Sequence, residues 1–207
     1  MQVPQGFPKL SETEYLLLKK YEEILKEINT QINLISRKET EQIFDKHILH
    51  SLSITHYFNF QKGTKIADIG SGGGLPAIPL AIFFPEVEFT LIESIRKKTK
   101  ALDTIVEKLD LKNVKILNDR SENIKERFDF VTGRAVTAFP NFYKLSKHLI
   151  ASKQQNAVPN GIIYLKGGDF TEDRKQFKYA EIYPLSDIIK DDYFFTKYII
   201  YLPVTNK

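Results

Sequence analysis

A group of glycines between two apolar segments has the composition and spacing of a loop that binds a nucleoside ligand. The group reads Asp-Ile-Gly-Ser-Gly-Gly-Gly-Leu from Asp68 to Leu75, with Gly70, Gly72, Gly73 and Gly74. Glycines at the end of a strand adopt positive φ and let the backbone approach a ligand closely. Because Leu75 stands where a dinucleotide-binding fold needs its third small residue, the spacing favours S-adenosyl-L-methionine over NAD. Asp68 suits the same ligand, since an acid attracts its amino group and its sulfonium.

A second acid supports a nucleoside ligand. Glu93 ends the next predicted strand, 23 residues after Gly70, where a carboxylate accepts hydrogen bonds from both ribose hydroxyls. Ser121 and Glu122 follow the third predicted strand, in the loop that lies beside the adenine in this class of fold. A glycine turn without a ligand, with Glu93 as a solvated strand end, is the alternative.

Basic residues cluster directly after Glu93. The cluster consists of Arg96, Lys97, Lys98 and Lys100. Cations at the start of a helix oppose its dipole, so we interpret the cluster as a phosphate-binding surface for RNA. We expect Arg37, Lys38 and Lys166 to extend this surface, and a solvated basic face is the alternative.

Composition removes several kinds of chemistry. The 207 residues include no cysteine, and the net charge is +4. Without cysteine there is no thiolate metal site and no cysteine adduct of the kind used in C5 methylation of pyrimidines. The segment Thr132–Ala135 lacks the Asn/Asp-Pro-Pro-aromatic pattern of exocyclic amine methylation. Transfer to a ring nitrogen that has an available lone pair and no proton to lose is still possible, because it needs alignment rather than a general base.

The elements that position these residues alternate between strands and helices, which predicts an α/β fold with a mostly parallel, doubly wound sheet. A capping box at Ser11 and Glu14 begins the first helix, and a second helix is predicted from Glu39 to about Phe58. The predicted strands are 65–69, 87–93, 114–117, 128–132, 161–166, 182–185 and 198–202, with helices over 94–109 and 139–150 and between Pro76 and Pro85. We expect residues 1–60 to form an N-terminal helical cap on a domain of residues 61–207, together one compact unit.

Two segments on the predicted elements are candidates for further roles. Arg134 ends the fourth strand and faces the cofactor cleft, where we favour cofactor binding and positioning over a structural ion pair. His47 and His50 are three residues apart on one helix. Because no cysteine and no acidic motif accompany them, we expect contacts between the cap and the sheet, or with RNA, and no metal site.

With no signal peptide and no apolar run above about ten residues, we expect a cytoplasmic protein that does not enter a membrane.

These motifs together resemble the bacterial small-subunit (16S) ribosomal RNA guanine-N7 methyltransferases, also called glucose-inhibited division protein B. The resemblance rests, in the family's order, on Asn33-Leu34, His47–Ser51, Asp68–Pro76, Gly133–Ala135 and Leu165–Gly167. It implies a class I S-adenosylmethionine-dependent methyltransferase fold, Rossmann-like, with a seven-stranded sheet and an N-terminal helical cap. It also implies methyl transfer to N7 of one guanosine in small-subunit ribosomal RNA.

The same resemblance implies cofactor contacts at particular residues. These are Gly70, Leu75, Ser121, Glu122 and Arg134. The sequence departs from the family at His50, where Asp is usual, and at Gly133, where Ser is usual; the last forty residues match loosely. A small-molecule methyltransferase, an NAD-linked oxidoreductase and a non-catalytic RNA-binding module remain alternatives, and we expect a monomer.

Overall fold

Short buried runs of β-branched and aromatic residues form seven strands. The structure, a computed structural model, describes residues 7–204 except the side chain of Arg37. The strands are β1 (Lys65–Ile69), β2 (Glu88–Ile92), β3 (Val114–Leu117), β4 (Phe130–Arg134), β5 (Gly161–Gly167), β6 (Glu181–Pro184) and β7 (Lys197–Pro203). In β1 and β2 only the first residue is exposed, which is typical of a parallel sheet covered on both faces.

The strands join in one sheet with the order β3-β2-β1-β4-β5-β7-β6. Strands β1 to β5 pair in parallel, and β7 runs antiparallel to both β5 and β6. The strand order reverses between β1 and β4. Because ligands of open α/β sheets bind at the carboxyl ends of strands beside such a reversal, the ends of β1 and β4 are the expected site.

The helices surround the sheet. They are α1 (Glu12–Asn29), α2 (Leu49–Leu52), α3 (Ile54–Tyr57), α4 (Ala77–Phe83), α5 (Arg96–Leu109), α6 (Phe139–Ser146) and α7 (Thr171–Gln176). The capping box predicted at the start of α1 is present: Ser11 Oγ accepts from the Glu14 N–H, and the Glu14 carboxylate accepts from the Ser11 N–H. No helix among residues 7–204 combines the length and the apolar character that crossing a bilayer requires.

The second predicted helix, from Glu39 to about Phe58, is wrong as one continuous helix. The chain instead forms a 3-10 helix (Arg37–Gln42), a π-helix (Phe44–Ile48) and then α2 and α3. Hydroxyl groups in this region donate to carbonyls of the preceding turn, with Ser51 bonding to the His47 carbonyl and Ser53 to the His50 carbonyl. Such bonds compete with regular helix hydrogen bonding and favour bends.

Strand β4 begins two residues later than the predicted 128–132. Phe128 pairs instead with Ile150 in an isolated bridge, and the Asp129 carboxylate accepts from the Lys65 N–H at 2.8 Å, so the regular ladder starts at Phe130. The strand also ends two residues later than predicted, so that Arg134 is its last residue. The helix predicted over 139–150 also ends early, because residues 147–149 tighten into a 3-10 turn.

Two groups of buried hydrophobic residues form the core. The larger joins Leu18, Tyr21 and Leu25 of α1 with sheet residues such as Ile66 and Leu91. The smaller contains α6 and the residues of β1, β4 and β5 that point away from the first group. Helix α1 therefore packs directly on one face of the sheet.

Candidate functional site

A cavity of about 680 Å³ opens at the carboxyl ends of β1, β4 and β5. The loop after β1 contributes Gly70 and Gly72, and the end of β4 contributes Arg134. The N-terminal region adds Glu39 and His47, and the other lining residues include His50, Leu75, Lys98, Lys166, Tyr193 and Lys197. The cavity thus lies where the topology predicts a ligand site.

The conformation of the loop after β1 requires glycine at two positions. Gly74 has φ +93°, and a Cβ there would lie 2.4 Å from Ile78 Cγ1. Gly72 has φ +56° and donates its N–H to Glu93. The loop is also held from the N-terminal side, because the Tyr21 hydroxyl of α1 donates to the Gly73 carbonyl at 2.8 Å.

Glu93 joins the loops that follow β1 and β2. Its side chain is buried, with Oε2 accepting from the Gly72 N–H at 3.1 Å and Oε1 from the Ile95 N–H at 2.9 Å. Each carboxylate oxygen has a second lone pair. The orientation of the carboxylate is therefore fixed, but Glu93 does not line the cavity, so its contact with two ribose hydroxyls stays a prediction.

Asp68 lies beneath the glycine loop and does not line the cavity. Its Oδ1 accepts from the Thr132 hydroxyl at 2.9 Å, and its Oδ2 makes no hydrogen bond with a described residue. Burial raises the pKa of Asp68 to about 7, against the opposing influence of Thr132 and the Arg134 guanidinium. Its predicted role in attracting the cofactor stays a prediction, and the structure places it behind the loop.

Arg134, His47 and Glu39 form a row of polar side chains that line the cavity. Its guanidinium donates to His47 Nδ1 at 3.0 Å. Arginine has no acceptor, so His47 Nδ1 is unprotonated and Nε2 carries the hydrogen. His47 Nε2 lies 3.4 Å from Glu39 Oε2. Burial, reinforced by the charge of Arg134, lowers the pKa of His47 to about 3, so the imidazole between the two charged groups is neutral.

The two departures from the family pattern have different surroundings. His50 is buried, with its ring edge against Phe194 and its Nε2 without a hydrogen-bond partner among the described residues. Burial lowers the pKa of His50 well below its usual value, so this residue is neutral, unlike the Asp that the resemblance leads us to expect at this position. At Gly133, a Cβ would lie 2.5 Å from Cε2 of Phe142. The Phe142 ring therefore fills the space that a serine side chain would need.

No group of three potential metal ligands is present among residues 7–204.

The predicted basic surface is mostly exposed. Arg96, Lys97 and Lys100 face solvent, and Lys98 lines the cavity. None of the four forms an ion pair with a described residue, although Lys97 Nζ donates to the Gln31 carbonyl at 3.3 Å.

The remaining predicted RNA contacts differ in their surroundings. Lys38 is exposed, while the side chain of Arg37 lies outside the described part of the structure. Lys166 lines the cavity but pairs with Asp173 at 3.0 Å, so this carboxylate competes with a phosphate for its ammonium group.

The residues of the predicted adenine loop are not among those that line the cavity. Ser121 is buried, and its hydroxyl donates to the Glu122 carboxylate at 3.0 Å. His148 Nε2 lies 3.1 Å from the Ser121 carbonyl and ties this loop to the end of α6. Both residues keep the predicted position after β3, and their cofactor contacts stay predictions.

Several residues of the site are not predictable as site residues from the sequence. The apolar patterns place Tyr21 and Tyr164 only in the core, yet both hydroxyls hold loops. Tyr164 Oη accepts from the Val136 N–H at 3.1 Å and donates to the Thr137 carbonyl at 2.7 Å. Tyrosine in place of phenylalanine at a buried position is the available signal. Glu39, Tyr193 and Lys197 give none, since chain topology alone brings them together.

Comparisons with solved structures identify the fold. A SAM dependent methyltransferase from Aquifex aeolicus superposes with a TM-score of 0.60 at 11% identity, covering 89% of this chain and 98% of that chain. A mutant of MtNAS in complex with S-adenosylmethionine gives a TM-score of 0.59 at 14% identity, covering 92% and 77%. At such identities the likeness shows the fold alone, and it confirms the predicted class I methyltransferase architecture with its seven-stranded sheet.

Comparisons of sequence identify the family. Residues 14–184 match the family profile described as rRNA small subunit methyltransferase G. The Ribosomal RNA small subunit methyltransferase G of Flavobacterium johnsoniae is 44% identical over 206 residues, covering 100% of this chain and 99% of that protein. The protein of the same name from Bacteroides thetaiotaomicron is 41% identical, covering 94% and 95%. The chain therefore belongs to the rRNA small subunit methyltransferase G family.

Proposed function

We propose that this protein transfers a methyl group from S-adenosyl-L-methionine to N7 of a guanosine in small-subunit ribosomal RNA. One observation carries the proposal beyond family membership. A glycine loop fixed by a buried acid, Glu93, opens into the same cavity as Arg134 and Lys98, and Lys98 forms no ion pair with a described residue. Cofactor-binding features and cationic groups suited to RNA thus meet in one place.

The residues around the cavity fit the cofactor part by part. Gly70 and Gly72 give the backbone room beside the methionine portion, and the free lone pairs of Glu93 accept from the two ribose hydroxyls. Arg134 pairs with the methionine carboxylate. Leu75, Gly74 and Asp68 shape and support the loop from behind, and Ser121 with Glu122 borders the adenine.

The chemistry asks little of acid–base groups. When bound, S-adenosylmethionine supplies an electrophilic methyl group, whose bond to sulfur breaks as a bond to guanine N7 forms. The N7 lone pair is available without deprotonation, so the protein contributes alignment and electrostatics. Neutral His47 orients Arg134 through a 3.0 Å hydrogen bond. His47 needs no proton-transfer role here, in keeping with its low pKa of about 3.

RNA is the substrate class that the surface favours. The exposed Arg96, Lys97 and Lys100 make no ion pairs with described residues and adjoin the cavity through Lys98. Phosphate contacts of this kind position a nucleic acid without reading its sequence. A small-molecule methyltransferase would have no use for such a surface, and Lys38, Arg37 and Lys166 extend it in the proposal.

We also propose that the protein acts as a monomer in the cytoplasm, where its RNA substrate is found. Sedimentation of the protein with and without RNA tests the oligomeric state.

The decisive experiment is methyl transfer to small ribosomal subunits isolated from cells that lack this protein. Radiolabelled S-adenosylmethionine measures incorporation, and mass spectrometry of RNA digests maps the modified base. We expect one N7-methylguanosine. Methylation of another atom contradicts the proposed regiochemistry, and binding of the subunits without any transfer favours the non-catalytic alternative. Tight NAD binding without S-adenosylmethionine binding favours the oxidoreductase.

A further inference from the structure

We propose that Glu39 is the residue that recognises the target base, accepting hydrogen bonds from N1–H and the N2 amino group of guanine. The inference rests on the proposed function, because it assigns the base-reading residue of the same site. Neither the family resemblance nor the sequence motifs point to Glu39.

The hydrogen-bonding pattern of guanine defines what a reader must offer. Its N7 and O6 are acceptors, whereas N1–H and the N2 amino group are donors on the opposite, Watson–Crick edge. Two adjacent donors are matched by the two oxygens of a carboxylate. Adenine has a ring acceptor at N1 and no amino group at C2, so the same carboxylate disfavours adenine.

Glu39 is the sole carboxylate among the described residues that line the cavity. The charged side chains around it are cations: Lys98, Arg134, Lys166 and Lys197. Cations suit phosphate, the methionine carboxylate or guanine O6, and none of them accepts a hydrogen bond. Among the charged side chains described in this cavity, Glu39 is therefore the one that can accept hydrogen bonds from the two donors on one edge of a purine.

Among the described residues, no cationic side chain forms an ion pair with Glu39. The basic group that lies within ion-pair distance in this part of the chain is His47, 3.4 Å away, and burial lowers the pKa of that imidazole to about 3, so it is neutral at physiological pH. No Lys or Arg among the described residues lies within ion-pair distance of the Glu39 carboxylate. The carboxylate is about 28% exposed, so it is accessible to a base that enters the cavity.

The position of Glu39 fits a base whose N7 points toward the methyl donor. His47 separates the Glu39 carboxylate from Arg134 at the end of β4. Since N7 and N2 lie at opposite ends of a purine, a base with N7 at the cofactor directs its Watson–Crick edge away from it, toward the N-terminal region. Tyr193 lines the same cavity as Glu39, and burial together with the Glu39 carboxylate raises the pKa of its hydroxyl.

The charge of Glu39 also suits the reaction. Methyl transfer turns neutral guanine into a cationic N7-methyl base, and this charge develops in the transition state. A carboxylate hydrogen-bonded to N1–H and N2–H interacts more strongly with the cation than with the neutral base. Loss of Glu39 should therefore lower kcat as well as raise KM.

The test compares Glu39→Gln with the matched control Glu41→Gln. Glu41 lies on the same 3-10 helix, but its side chain is 79% exposed and pairs with Lys26. Each variant methylates small-subunit RNA that carries either guanosine or inosine at the position mapped with the wild-type protein. Inosine keeps N7, O6 and N1–H but lacks the N2 amino group.

We expect wild type and Glu41→Gln to favour guanosine over inosine by roughly tenfold in kcat/KM. Glu39→Gln should lose about 10- to 100-fold on guanosine and discriminate little between the two bases. S-adenosylhomocysteine affinity should remain within about twofold in every variant. If Glu39→Gln keeps the wild-type preference for guanosine, with or without a loss of rate, the base-reading role is refuted. A wild-type protein that methylates neither RNA refutes the proposed function itself.

Discussion

Replacing Glu93 with alanine tests whether this buried acid binds the ribose as well as holding the glycine loop. In the structure its two oxygens accept from the N–H groups of Gly72 and Ile95. Each bond involves a charged acceptor and is worth about 1.5–3 kcal/mol when both partners are shielded. Because both donors are partly buried and water replaces some of the loss, we expect about 2 kcal/mol less stability, a fall of about 4–8 °C in Tm.

The effect on cofactor binding should be larger. Two ribose hydroxyls would lose their shared carboxylate, and about 3 kcal/mol corresponds to a dissociation constant roughly a hundredfold higher. Titration calorimetry with S-adenosylhomocysteine measures this constant. Glu88→Ala is the matched control, since Glu88 begins the same strand with its side chain 64% exposed.

The two roles of Glu93 are separated by the 2′-deoxyribose analogue of S-adenosylhomocysteine. The wild-type protein should bind the analogue about tenfold more weakly than the parent compound, because one hydrogen bond to the carboxylate is absent. Glu93→Ala should bind both compounds equally. If the alanine variant still prefers the parent compound by the wild-type factor, the ribose is bound elsewhere and our assignment is wrong.

Three further predictions concern the loop, the basic surface and the sheet. Burial holds the pKa of Asp68 near 7 in the folded chain, above its unfolded value, so the stability that its protonated form contributes is present at low pH and is lost as pH rises from about 4 to 7. In urea unfolding without cofactor, the free energy of unfolding of Asp68→Asn should therefore decline less over this range than that of the wild type. Identical pH profiles for the two proteins would contradict this prediction. Lys97→Glu with Lys98→Glu should weaken RNA binding and reduce its salt slope by about 1 for each phosphate that the variant no longer binds, measured by fluorescence anisotropy; weaker cofactor binding with intact RNA binding would show that the surface serves the cofactor. Gly133→Ser should cost about 1–3 kcal/mol by overfilling the space beside Phe142, with a smaller cost in a Phe142→Leu background; thermal unfolding measures both, and equal costs would exclude the clash.

The local sequence predicts those elements whose boundaries depend on neighbouring residues. β1 has its predicted bounds because an apolar run ends at a glycine cluster, and α1 begins at its capping box. β4 does not, since its start depends on Asp129 bonding to Lys65 of a distant strand. The second helix likewise breaks where Glu22 of α1 accepts from the Phe44 N–H at 3.1 Å, a contact that spacing along the chain does not reveal.

Some residues of the candidate site can likewise be predicted from the local sequence, and others cannot. Gly72 and Glu93 are readable because a short motif and its distance to the next strand define them. Glu39 and Lys197 become neighbours of Arg134 only when the chain folds, because they come from opposite ends of the sequence. Single-sequence reasoning thus finds residues that act through a local backbone shape and misses those that act through assembly.

Helix α1 contacts both the glycine loop and the segment that carries Glu39, so we expect it to couple the binding of the two proposed ligands. Tyr21 holds the Gly73 carbonyl, and Glu22 accepts from the Phe44 N–H, next to the 3-10 helix that carries Glu39. Any coupling free energy carried by this helix is reciprocal: the factor by which cofactor changes RNA affinity equals the factor by which RNA changes cofactor affinity. An RNA affinity measured on protein that retains S-adenosylhomocysteine is consequently a property of the liganded state, and differs from that of the empty protein by this factor.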